Sequence, residues 1–583
     1  MRLADERTFR CADGTELFYR HWPATVAGDG PRRAVLMLHR GHEHSGRLQH
    51  LVDELDLPGF DFFAWDARGH GRSPGPRGWS PGIETSIRDV DDFVRHLGIA
   101  HDIAVNDLAV VAQSVGSVLA AAWVHDYAPR VRCLVLASPA FSIRLYVPLA
   151  RQGLALLAAL RGNFFIKSYV KAKLLTHDPE RIRSYEEDPL IARPISVNVL
   201  LGLYEAAARV VGDAGAIRVP TLLLVSGSDY VVHRKPQHTF FARLGSAVKE
   251  EQVFPGFFHD TLGERDRAPA IAKARSFILA SFAAEAARSP LLDADRAGFT
   301  HDEVERLRRP ASLGKRLAFG ATRLGMRTLG RLSAGIRLGL STGFDSGSTL
   351  DYVYRHRPEG TTAFGRLIDH NYLESIGWHG IRVRRRHLEE ALVAVVDRLH
   401  SSGRPVRVLD VAAGHGRYVL SALAGRLRDG DRIALRDWSE RNVAAGSALI
   451  AELGLAERAS FSRGNAFDGE ELSRTTPRPT VGVVSGLYEL FPDNEPVRRS
   501  LAGLFAAVEP GGYLLYTNQP WHPQLELIAR TLTSHHDGAP WVMRRRTQEE
   551  MDDLVAAAGF RKRQQWIDRW GIFTVSLAER PAG

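Results

Sequence analysis

Three side chains that together can activate an alcohol for attack on a carbonyl carbon stand in the first half of the chain. Ser114 follows an apolar run, Leu108–Gln113, and precedes a stretch with helical character. A serine is a weak nucleophile unless a histidine takes its proton, and that histidine needs a carboxylate to orient it. Asp229 follows a second apolar run, and His259 follows a third. This order predicts a triad in which Ser114 is the nucleophile, His259 the base and Asp229 the orienting acid.

The residues around Ser114 favour a sharp turn between a strand and a helix. Such a turn lifts the serine hydroxyl above a sheet, and it requires small residues two positions before and two positions after the serine. These positions hold Ala112 and Gly116. The oxyanion that forms on attack needs two main-chain N–H donors. We predict that Val115, directly after the serine, and Gly41, in an earlier loop, supply them.

The loop that contains Gly41 also carries three histidines, His39, His42 and His44, which could be taken for a metal cluster. Zinc sites of known types combine histidines at helical spacing with a further histidine, cysteine or acidic ligand. Neither that spacing nor an acidic third ligand is present here. We therefore predict no metal site.

Short apolar runs alternate with longer helical patterns twice, at about residues 16–285 and 380–583. This alternation predicts two α/β blocks with mostly parallel sheets, in which the carboxyl ends of successive strands meet at one edge. In the first block the predicted strands are Glu16–Trp22, 34–39, 62–66, Leu108–Gln113, Cys133–Ala137, Thr221–Ser226 and 251–254. In the second block they are 406–411, Arg432–Asp437, 459–464, 481–485, 512–518 and 571–577.

Five segments of the first block together resemble the monoacylglycerol lipase-like branch of the α/β-hydrolases. They are LHRGHEHSGR, FFAWDARGHGRS, AQSVG, SGSD and FPGFFHD. The resemblance spans roughly residues 1–285 and implies ester hydrolysis through an acyl-serine. Two residues depart from it, since Ala112 and Arg40 each replace a glycine. Arg40 would either clash with its surroundings or bind a phosphate near the acyl group, and the sequence leaves both alternatives open.

Residues 138–210 are predicted to form a cap over the serine. They contain apolar stretches at 145–160 and 163–166. A cap of this composition would either receive the acyl chain of a lipid-like ester or pack against the sheet with no ligand. The sequence favours neither alternative.

The second block begins with a strand that ends in an acid and a loop of small residues, at 406–418. Small residues let the main chain approach a ligand, and an acid at the end of the next strand can accept both hydroxyls of a ribose. NAD and S-adenosylmethionine both carry a ribose. NAD needs a third glycine where Val419 stands, and its pyrophosphate has no evident place. S-adenosylmethionine has no phosphate, and its ammonium group can face an acid such as Asp410, directly or through water.

The segments LDVAAGHG, LRDWS and GNAFD, in this order, resemble class I S-adenosylmethionine-dependent methyltransferases. The resemblance implies a Rossmann-like domain with S-adenosylmethionine as its cofactor. The residues that would bind the cofactor are Asp410, Ala412, Gly414, Gly416, Asp437, Trp438, Asn465 and Ala466. Asn465 is of the type that hydrogen-bonds the adenine amino group. Candidates for a base that assists methyl transfer are Tyr488, Glu489, His522, Tyr372 and His379, and the sequence does not separate them.

Residues 291–350 match neither block and are predicted to form a basic connector. Between residues 307 and 344 there are eight lysines and arginines and no acid. Several of these bases lie four or seven positions apart, so a helix would place them on one face beside leucines. Such a segment would either contact an anionic membrane or dock between domains with a solvated basic face. RNA binding ranks lower because no aromatic residues alternate with the bases.

Composition sets the remaining expectations. With 583 residues the chain is long enough for more than one core, and 44% hydrophobic with 25% charged residues is typical of globular proteins. Two cysteines exclude a disulfide framework, and the amino terminus lacks the apolar core of a secretory signal. The net charge of +9 favours anionic partners. We expect a cytoplasmic protein with peripheral contact to the inner membrane face; nucleic acid is a less favoured partner, and the oligomeric state is left unassigned.

The whole chain resembles bifunctional α/β-hydrolase/class I methyltransferases. The predicted fold is therefore an α/β-hydrolase domain with a helical cap at residues 1–290, the connector at 291–350, and a Rossmann-like class I methyltransferase domain at 351–583. The resemblance implies a lipase-like or lysolipase-like serine ester hydrolase fused to a methyltransferase, acting on a small-molecule or lipid ester. The alternative hypothesis keeps one domain catalytic and makes the other a ligand-sensing or membrane-tethering module.

Overall fold

The computed structural model describes residues 1–26, 30–285, 288–535 and 538–582. The chain divides into two compact units, Met1–Arg288 and Ser289–Gly583. None of the helices in these ranges has both the length and the apolarity that crossing a lipid bilayer requires.

The first unit is built on an eight-stranded sheet with a separate two-stranded hairpin. Its strands are β1 (Asp5–Arg10), β2 (Glu16–Trp22), β3 (Arg33–Leu38), β4 (Phe60–Trp65), β5 (Leu108–Gln113), β6 (Cys133–Ala137), β7 (Phe165–Lys167), β8 (Pro194–Ser196), β9 (Thr221–Ser226) and β10 (Lys249–Phe254). The spatial order is β1-β2-β4-β3-β5-β6-β9-β10, and β7 pairs with β8. In the main sheet β1 and β2 run antiparallel to their neighbours and the other strands are parallel.

Helices cover both faces of this sheet, which is why its central strands are apolar along their whole length. The helices are α1 (Gln49–Glu54), α2 (Ile83–His101), α3 (Val115–Tyr127), α4 (Ala150–Arg161), α5 (Pro179–Glu187), α6 (Val197–Gly212), α7 (Arg234–Arg243) and α8 (Ala268–Ala283). Strands β5, β6 and β9 are buried at every position. Their carboxyl ends therefore form a rigid platform for the loops that follow them.

The segment between β6 and β9 forms the cap and contains α4, α5, α6 and the β7–β8 hairpin. Helix α6 packs on α3, and His125 of α3 hydrogen-bonds Asp213, which follows α6, at 2.7 Å. Helix α4 has no buried residue, and Leu149 and Leu160 near its ends are each 74% exposed. Packing of this apolar stretch against the sheet is therefore excluded.

The second unit contains a seven-stranded sheet with strands β11 (Arg407–Asp410), β12 (Arg432–Asp437), β13 (Ala459–Arg463), β14 (Val481–Val484), β15 (Tyr513–Asn518), β16 (Arg561–Ile567) and β17 (Thr574–Glu579). Their spatial order is β13-β12-β11-β14-β15-β17-β16. The first five strands in chain order are parallel, and β17 runs antiparallel to both of its neighbours. The order reverses between β11 and β14, which makes a topological switch point, the place where open α/β sheets bind ligands.

The helices of the second unit surround this sheet and extend before it. They are α9 (Phe299–Arg308), α10 (Leu313–Arg327), α11 (Ala334–Thr342), α12 (Gly347–Arg355), α13 (Ala363–Leu373), α14 (Ile376–Ser401), α15 (Arg417–Leu423), α16 (Glu440–Glu452), α17 (Gly469–Ser473), α18 (Asn494–Ala507), α19 (Leu525–Thr531) and α20 (Gln548–Ala557).

Residues 291–350 lie inside the second unit and do not form a separate connector. Ile336 and Phe344 are buried in one hydrophobic cluster with Trp378 and Phe573. The apolar residues of this segment, which the sequence assigned to a linker, thus complete a core that begins at α11. The fold class, an α/β-hydrolase domain with a cap followed by a Rossmann-like methyltransferase domain, is confirmed.

Candidate active sites

The turn after β5 holds Ser114 in a strained conformation. Its φ of 52° and ψ of −114° lie outside the regions that most residues adopt, and α3 begins at the next residue. A Cβ atom at Gly116 would lie 2.6 Å from the carbonyl oxygens of Leu38 and His39, so glycine is required there. Ala112 lies in the sheet between Leu38 and Leu136, where its methyl group is fully buried. Alanine therefore satisfies the need for a small residue at that position.

The structure brings the three residues of the predicted triad together. The Nε2 atom of His259 lies 2.7 Å from the hydroxyl oxygen of Ser114, and its Nδ1 atom lies 2.8 Å from Oδ2 of Asp229. All three side chains are buried. This is the relay in which an imidazole removes the serine proton while a carboxylate stabilises the imidazolium that results.

The Asp229 carboxylate is held in its charged form. Burial by itself would raise its pKa, but the neighbouring His259 and the main-chain N–H groups of Val232 and Val231 outweigh burial, and the pKa is lowered. Those two N–H groups donate to Oδ1 at 3.0 and 2.7 Å. Oδ2 is left for His259, whose orientation is thereby fixed.

The predicted oxyanion donors lie side by side. Val115 is the first residue of α3, so its N–H belongs to the unpaired first turn of a helix. A Cβ atom at Gly41 would lie 3.0 Å from a methyl carbon of Val115, which places the loop after β3 against the turn at Ser114. The structure thus brings both predicted donors next to the nucleophile.

The polar residues near Gly41 are engaged with the protein. The guanidinium of Arg40 donates to Glu43 at 2.6 Å and lies 3.2 Å from Asp260, so Arg40 neither clashes nor points its charge at the serine. His39 accepts the N–H of Ala67 at 3.1 Å. Among the residues that the structure describes, the three histidines of this loop do not bring their ring nitrogens together as one group of possible metal ligands.

A second site lies at the switch point of the other unit, where a cavity of about 590 Å³ opens at the carboxyl ends of β11, β12 and β14. Of the eight residues predicted to bind a cofactor, the cavity is lined by Ala412, Gly414, Gly416, Asp437, Trp438, Asn465 and Ala466. Trp438 stands at the rim and is 64% exposed.

Asp437 links the glycine loop to the end of β12. Its Oδ2 atom accepts the N–H of Gly414 at 2.9 Å, and its Oδ1 atom accepts the N–H of Ser439 at 2.9 Å and an amide N–H of Asn442 at 3.0 Å. Oδ2 keeps one lone pair toward the cavity. Gly414 and Gly416 have positive φ values of 58° and 71°, which glycine adopts without strain.

Asp410 is not part of the cavity wall, so the structure does not support the direct one of its two predicted contacts with the ligand, direct or through water. Its side chain is fully buried beneath the loop, where it accepts the N–H of Ala412 at 3.2 Å and the hydroxyl of Tyr418. Burial and repulsion from Asp437 raise the pKa of Asp410 to about 7, against the opposite effect of those two hydrogen bonds. Because its side chain is buried beneath the loop, Asp410 can influence a ligand in the cavity only indirectly, through its charge.

Part of the wall was missed by the sequence reasoning. Ser346, Gly347 and Ser348, at the start of α12, line the cavity from the segment taken for a connector. A Cβ atom at Gly347 would come within 2.8 Å of the Asn442 amide, so glycine lets α12 approach α16. A glycine directly after a serine at a helix start was the available signal, and it is a weak one.

The five candidate bases separate into two groups. The hydroxyl of Tyr488 donates to Ser500 at 2.9 Å, and Nε2 of His379 lies 2.8 Å from Glu374. Neither residue lines a cavity described here. Glu489, His522 and Tyr372 all line a further cavity of about 370 Å³ in the same unit.

Two family models match the chain. The model of a family described as "Putative methyltransferase" matches residues 274–580, and that of a family described as "Serine aminopeptidase, S33" matches residues 29–266. The chain is 56% identical over 581 residues to YnbC of Escherichia coli (strain K12), a protein described as uncharacterized, and the match covers 99% of both chains. The chain belongs to this methyltransferase family, and YnbC is a full-length relative.

Matches to the first unit alone are weaker. Monoacylglycerol lipase of Mycolicibacterium smegmatis is 25% identical over 272 residues, which cover 45% of this chain and 92% of the lipase. The crystal structure of Paleococcus ferrophilus monoacylglycerol lipase aligns with a TM-score of 0.40 at 22% identity, covering 48% of this chain and 99% of that one. The chain thus joins a lipase-like α/β-hydrolase domain to a methyltransferase-family domain.

Proposed function

We propose that the first unit is a serine ester hydrolase for lipid-derived esters and that the second unit is an S-adenosylmethionine-dependent methyltransferase. The observation that carries the first half is the relay from Asp229 through His259 to Ser114, at 2.8 and 2.7 Å. The second half is supported by the small-residue cavity at the switch point of the other sheet.

The triad would act as follows. His259 Nε2 takes the proton of Ser114 as Oγ bonds to the ester carbonyl carbon, and the N–H groups of Val115 and Gly41 donate hydrogen bonds to the oxyanion. His259 then donates the proton to the departing alcohol, which leaves an acyl-serine. Water, activated by the same imidazole, releases the acid and restores Ser114.

A lipid-like ester is favoured by the character of the cap and by the relatives. The cap exposes Leu149, Leu156 and Leu160, whose apolar surface suits contact with acyl chains. Several relatives of the first unit are named monoacylglycerol or monoglyceride lipases.

The cavity of the second unit fits S-adenosylmethionine by the chemistry of its donors. Asp437 would accept a ribose hydroxyl, and Asn465 would contact the adenine through its amide N–H groups, because its Oδ1 atom already accepts the N–H of Phe467 at 3.0 Å. The glycine loop would place its main chain against the amino acid part. When bound, the cofactor supplies an electrophilic methyl group.

An untargeted assay tests the proposal. The purified full chain is incubated with a lipid extract and isotopically labelled S-adenosylmethionine, and mass spectrometry records which molecules lose an acyl group or gain a labelled methyl. We expect both changes. If only one occurs, the alternative in which one domain is catalytic and the other senses a ligand or tethers the chain replaces the proposal.

We expect the affinity for S-adenosylmethionine to rise about tenfold between pH 6 and pH 8. Asp410, with its pKa raised to about 7, is mostly protonated at pH 6 and mostly charged at pH 8, and only the charged form attracts a cationic ligand. Isothermal titration calorimetry at several pH values measures the effect. In Asp410→Asn the dependence should flatten, whereas an unchanged slope in that variant would contradict the role of Asp410.

Helix α10 supports the proposal that the chain touches an anionic membrane at the inner face. No residue of this helix is buried. Leu313, Leu317 and Leu324 are 70%, 68% and 64% exposed and lie on one face, because they are four and seven positions apart. The exposed Arg316, Arg323 and Arg327 flank that face. Exposed leucines beside arginines are typical of helices that lie in a lipid interface.

We expect the chain to sediment with vesicles of phosphatidylglycerol and phosphatidylcholine, and less with phosphatidylcholine alone or at high salt. Leu317→Glu should lower the bound fraction about tenfold, since it removes apolar area and adds a like charge to the anionic surface. Leu3→Glu is the matched control, because Leu3 is an exposed leucine outside α10. Equal binding of both variants would contradict the proposal.

A further inference from the structure

A cavity of about 370 Å³ in the second unit has no role in the cofactor site described above. Helices α10, α13, α14 and α19 and the segment after β15 contribute to its wall. Most lining side chains are apolar, among them Ile381, Trp378 and Ile528. A volume of this size with few polar groups is typical of a pocket for a small organic molecule.

This cavity adjoins the cofactor cavity. Asp345, Leu350, Arg384, Gly486 and Leu490 line both of them. A molecule in the smaller cavity would therefore lie next to a ligand in the larger one.

Several residues that line the smaller cavity carry buried polar atoms without hydrogen-bond partners. Oε2 of Glu489, Nε2 of Gln519 and Nε1 of Trp541 are buried and have no hydrogen-bond partner, and all three residues line the cavity. Glu489 and Gln519 are more than nine-tenths buried. Oη of Tyr372 and Nε of Arg384, two other lining residues, are also buried without a partner, and because leaving buried polar atoms unpaired is costly, this group points to a ligand that pairs with its members.

His522 adds a further donor. Its Nδ1 atom accepts the N–H of Gln524 at 3.0 Å, which leaves the ring proton on Nε2. Burial lowers the pKa of His522 to about 4, so the ring is neutral at physiological pH and acts as a donor instead of a base. A ligand that donates a hydrogen bond would therefore find its acceptor in Glu489.

The charged side chains in the wall of the smaller cavity favour a ligand without a negative charge. Arg384 donates to Oε1 of Glu489 at 3.1 Å, so the two charges compensate each other and Oε2 stays free. An anionic ligand would add a second negative charge beside Glu489 in an apolar surrounding, which is unfavourable. A neutral hydroxyl can donate to Oε2 without that cost.

We propose that this cavity binds a small, neutral, mostly apolar molecule whose hydroxyl group donates a hydrogen bond to Oε2 of Glu489. The identity of this molecule as the substrate that is methylated rests on the proposed function; the binding site itself does not. If that hydroxyl is methylated, its oxygen would bond to the methyl carbon as the bond between that carbon and the sulfur of the cofactor breaks, and Glu489 Oε2 would take the hydroxyl proton.

Equilibrium dialysis of the full chain with three probes, without S-adenosylmethionine, tests the proposal. We expect 2-naphthol to bind, 2-methoxynaphthalene, which lacks the donor, to bind about tenfold more weakly, and the 2-naphthoate anion to bind weakest. Glu489→Gln turns the acceptor into a donor of the same shape and should weaken 2-naphthol about tenfold. Glu495→Gln, an exposed glutamate of α18, is the matched control.

The outcomes separate this inference from the proposed function. An unchanged thermal unfolding midpoint shows that Glu489→Gln is folded. Loss of 2-naphthol binding in that variant, with the preference for the hydroxyl probe, supports the site even if S-adenosylmethionine fails to bind the wild-type chain. Equal binding of 2-naphthol to wild type and Glu489→Gln, or equal binding of the three probes, overturns the inference.

Discussion

Ser114→Ala lowers ester hydrolysis by the full chain on the order of 10⁴-fold or more, measured with a monoacylglycerol. The size of the effect follows from the nature of the step, because without Oγ no acyl-serine forms and His259 has no nucleophile to activate. The residual rate would come from the oxyanion donors and from binding alone. The turn at Ser114 should persist, since alanine is smaller and α3 is anchored by its own packing against α2 and α6.

A fluorophosphonate probe gives an independent measurement of the same residue. The wild-type chain should be labelled at Ser114, and Ser114→Ala should not be labelled at all. Ser117→Ala is the control, because Ser117 is also a buried serine of α3 but donates its hydroxyl to the carbonyl of Ala112 at 2.8 Å. Wild-type rates in Ser114→Ala, or loss of labelling in Ser117→Ala alone, would exclude Ser114 as the nucleophile.

The sequence predicted the central strands well because their burial dictates their composition. Strand β9 is buried at all six positions, and an uninterrupted apolar run is what a strand covered on both faces must have. Strand β1, which was missed, is exposed at five of six positions and reads DERTFR. It is a strand because it pairs with β2, and as an exposed edge strand it carries no alternation of apolar and polar residues that would reveal it.

In the candidate sites, too, some features could be predicted from the sequence and others could not. Ser114 and Asp229 follow the buried strands β5 and β9, and His259 follows the edge strand β10, so a parallel sheet brings all three to one edge, as the spacing predicted. Asp410 also ends a strand, yet its carboxylate turns beneath the loop to Tyr418. Strand ends can thus be predicted from sequence, whereas the direction of a side chain there depends on neighbours from other segments.

The prediction of a basic connector at residues 291–350 differs most from the structure. The glycines and arginines of this segment resemble a linker, but Gly335 and Gly339 lie against the rings of Tyr372 and Phe344, where any side chain would collide. Glycine-rich segments occur both where helices pack closely and where a linker is flexible. The sequence pattern alone therefore cannot distinguish a packed helix from a linker.

Asp437→Ala weakens the binding of S-adenosylmethionine about 100-fold. The substitution removes a charged acceptor for the ribose and also releases the N–H of Gly414, which Oδ2 holds at 2.9 Å. Hydrogen bonds to a charged group contribute about 1.5–3 kcal/mol each, so the loss of one or two of them accounts for a change of this size. Isothermal titration calorimetry with S-adenosylmethionine and S-adenosylhomocysteine measures both affinities, and we expect parallel losses because both ligands carry the same ribose.

Asp429→Ala is the control for this measurement, since Asp429 is a fully exposed aspartate of the same domain that contacts only the surface Arg458 among the pairs described. It should bind both ligands as the wild type does. If Asp437→Ala also binds them as the wild type does, the ribose does not lie at the end of β12. The proposal that the larger cavity binds S-adenosylmethionine through Asp437 would then be wrong. Hydrolysis through Ser114 should be unchanged in Asp437→Ala, because the triad belongs entirely to the first unit.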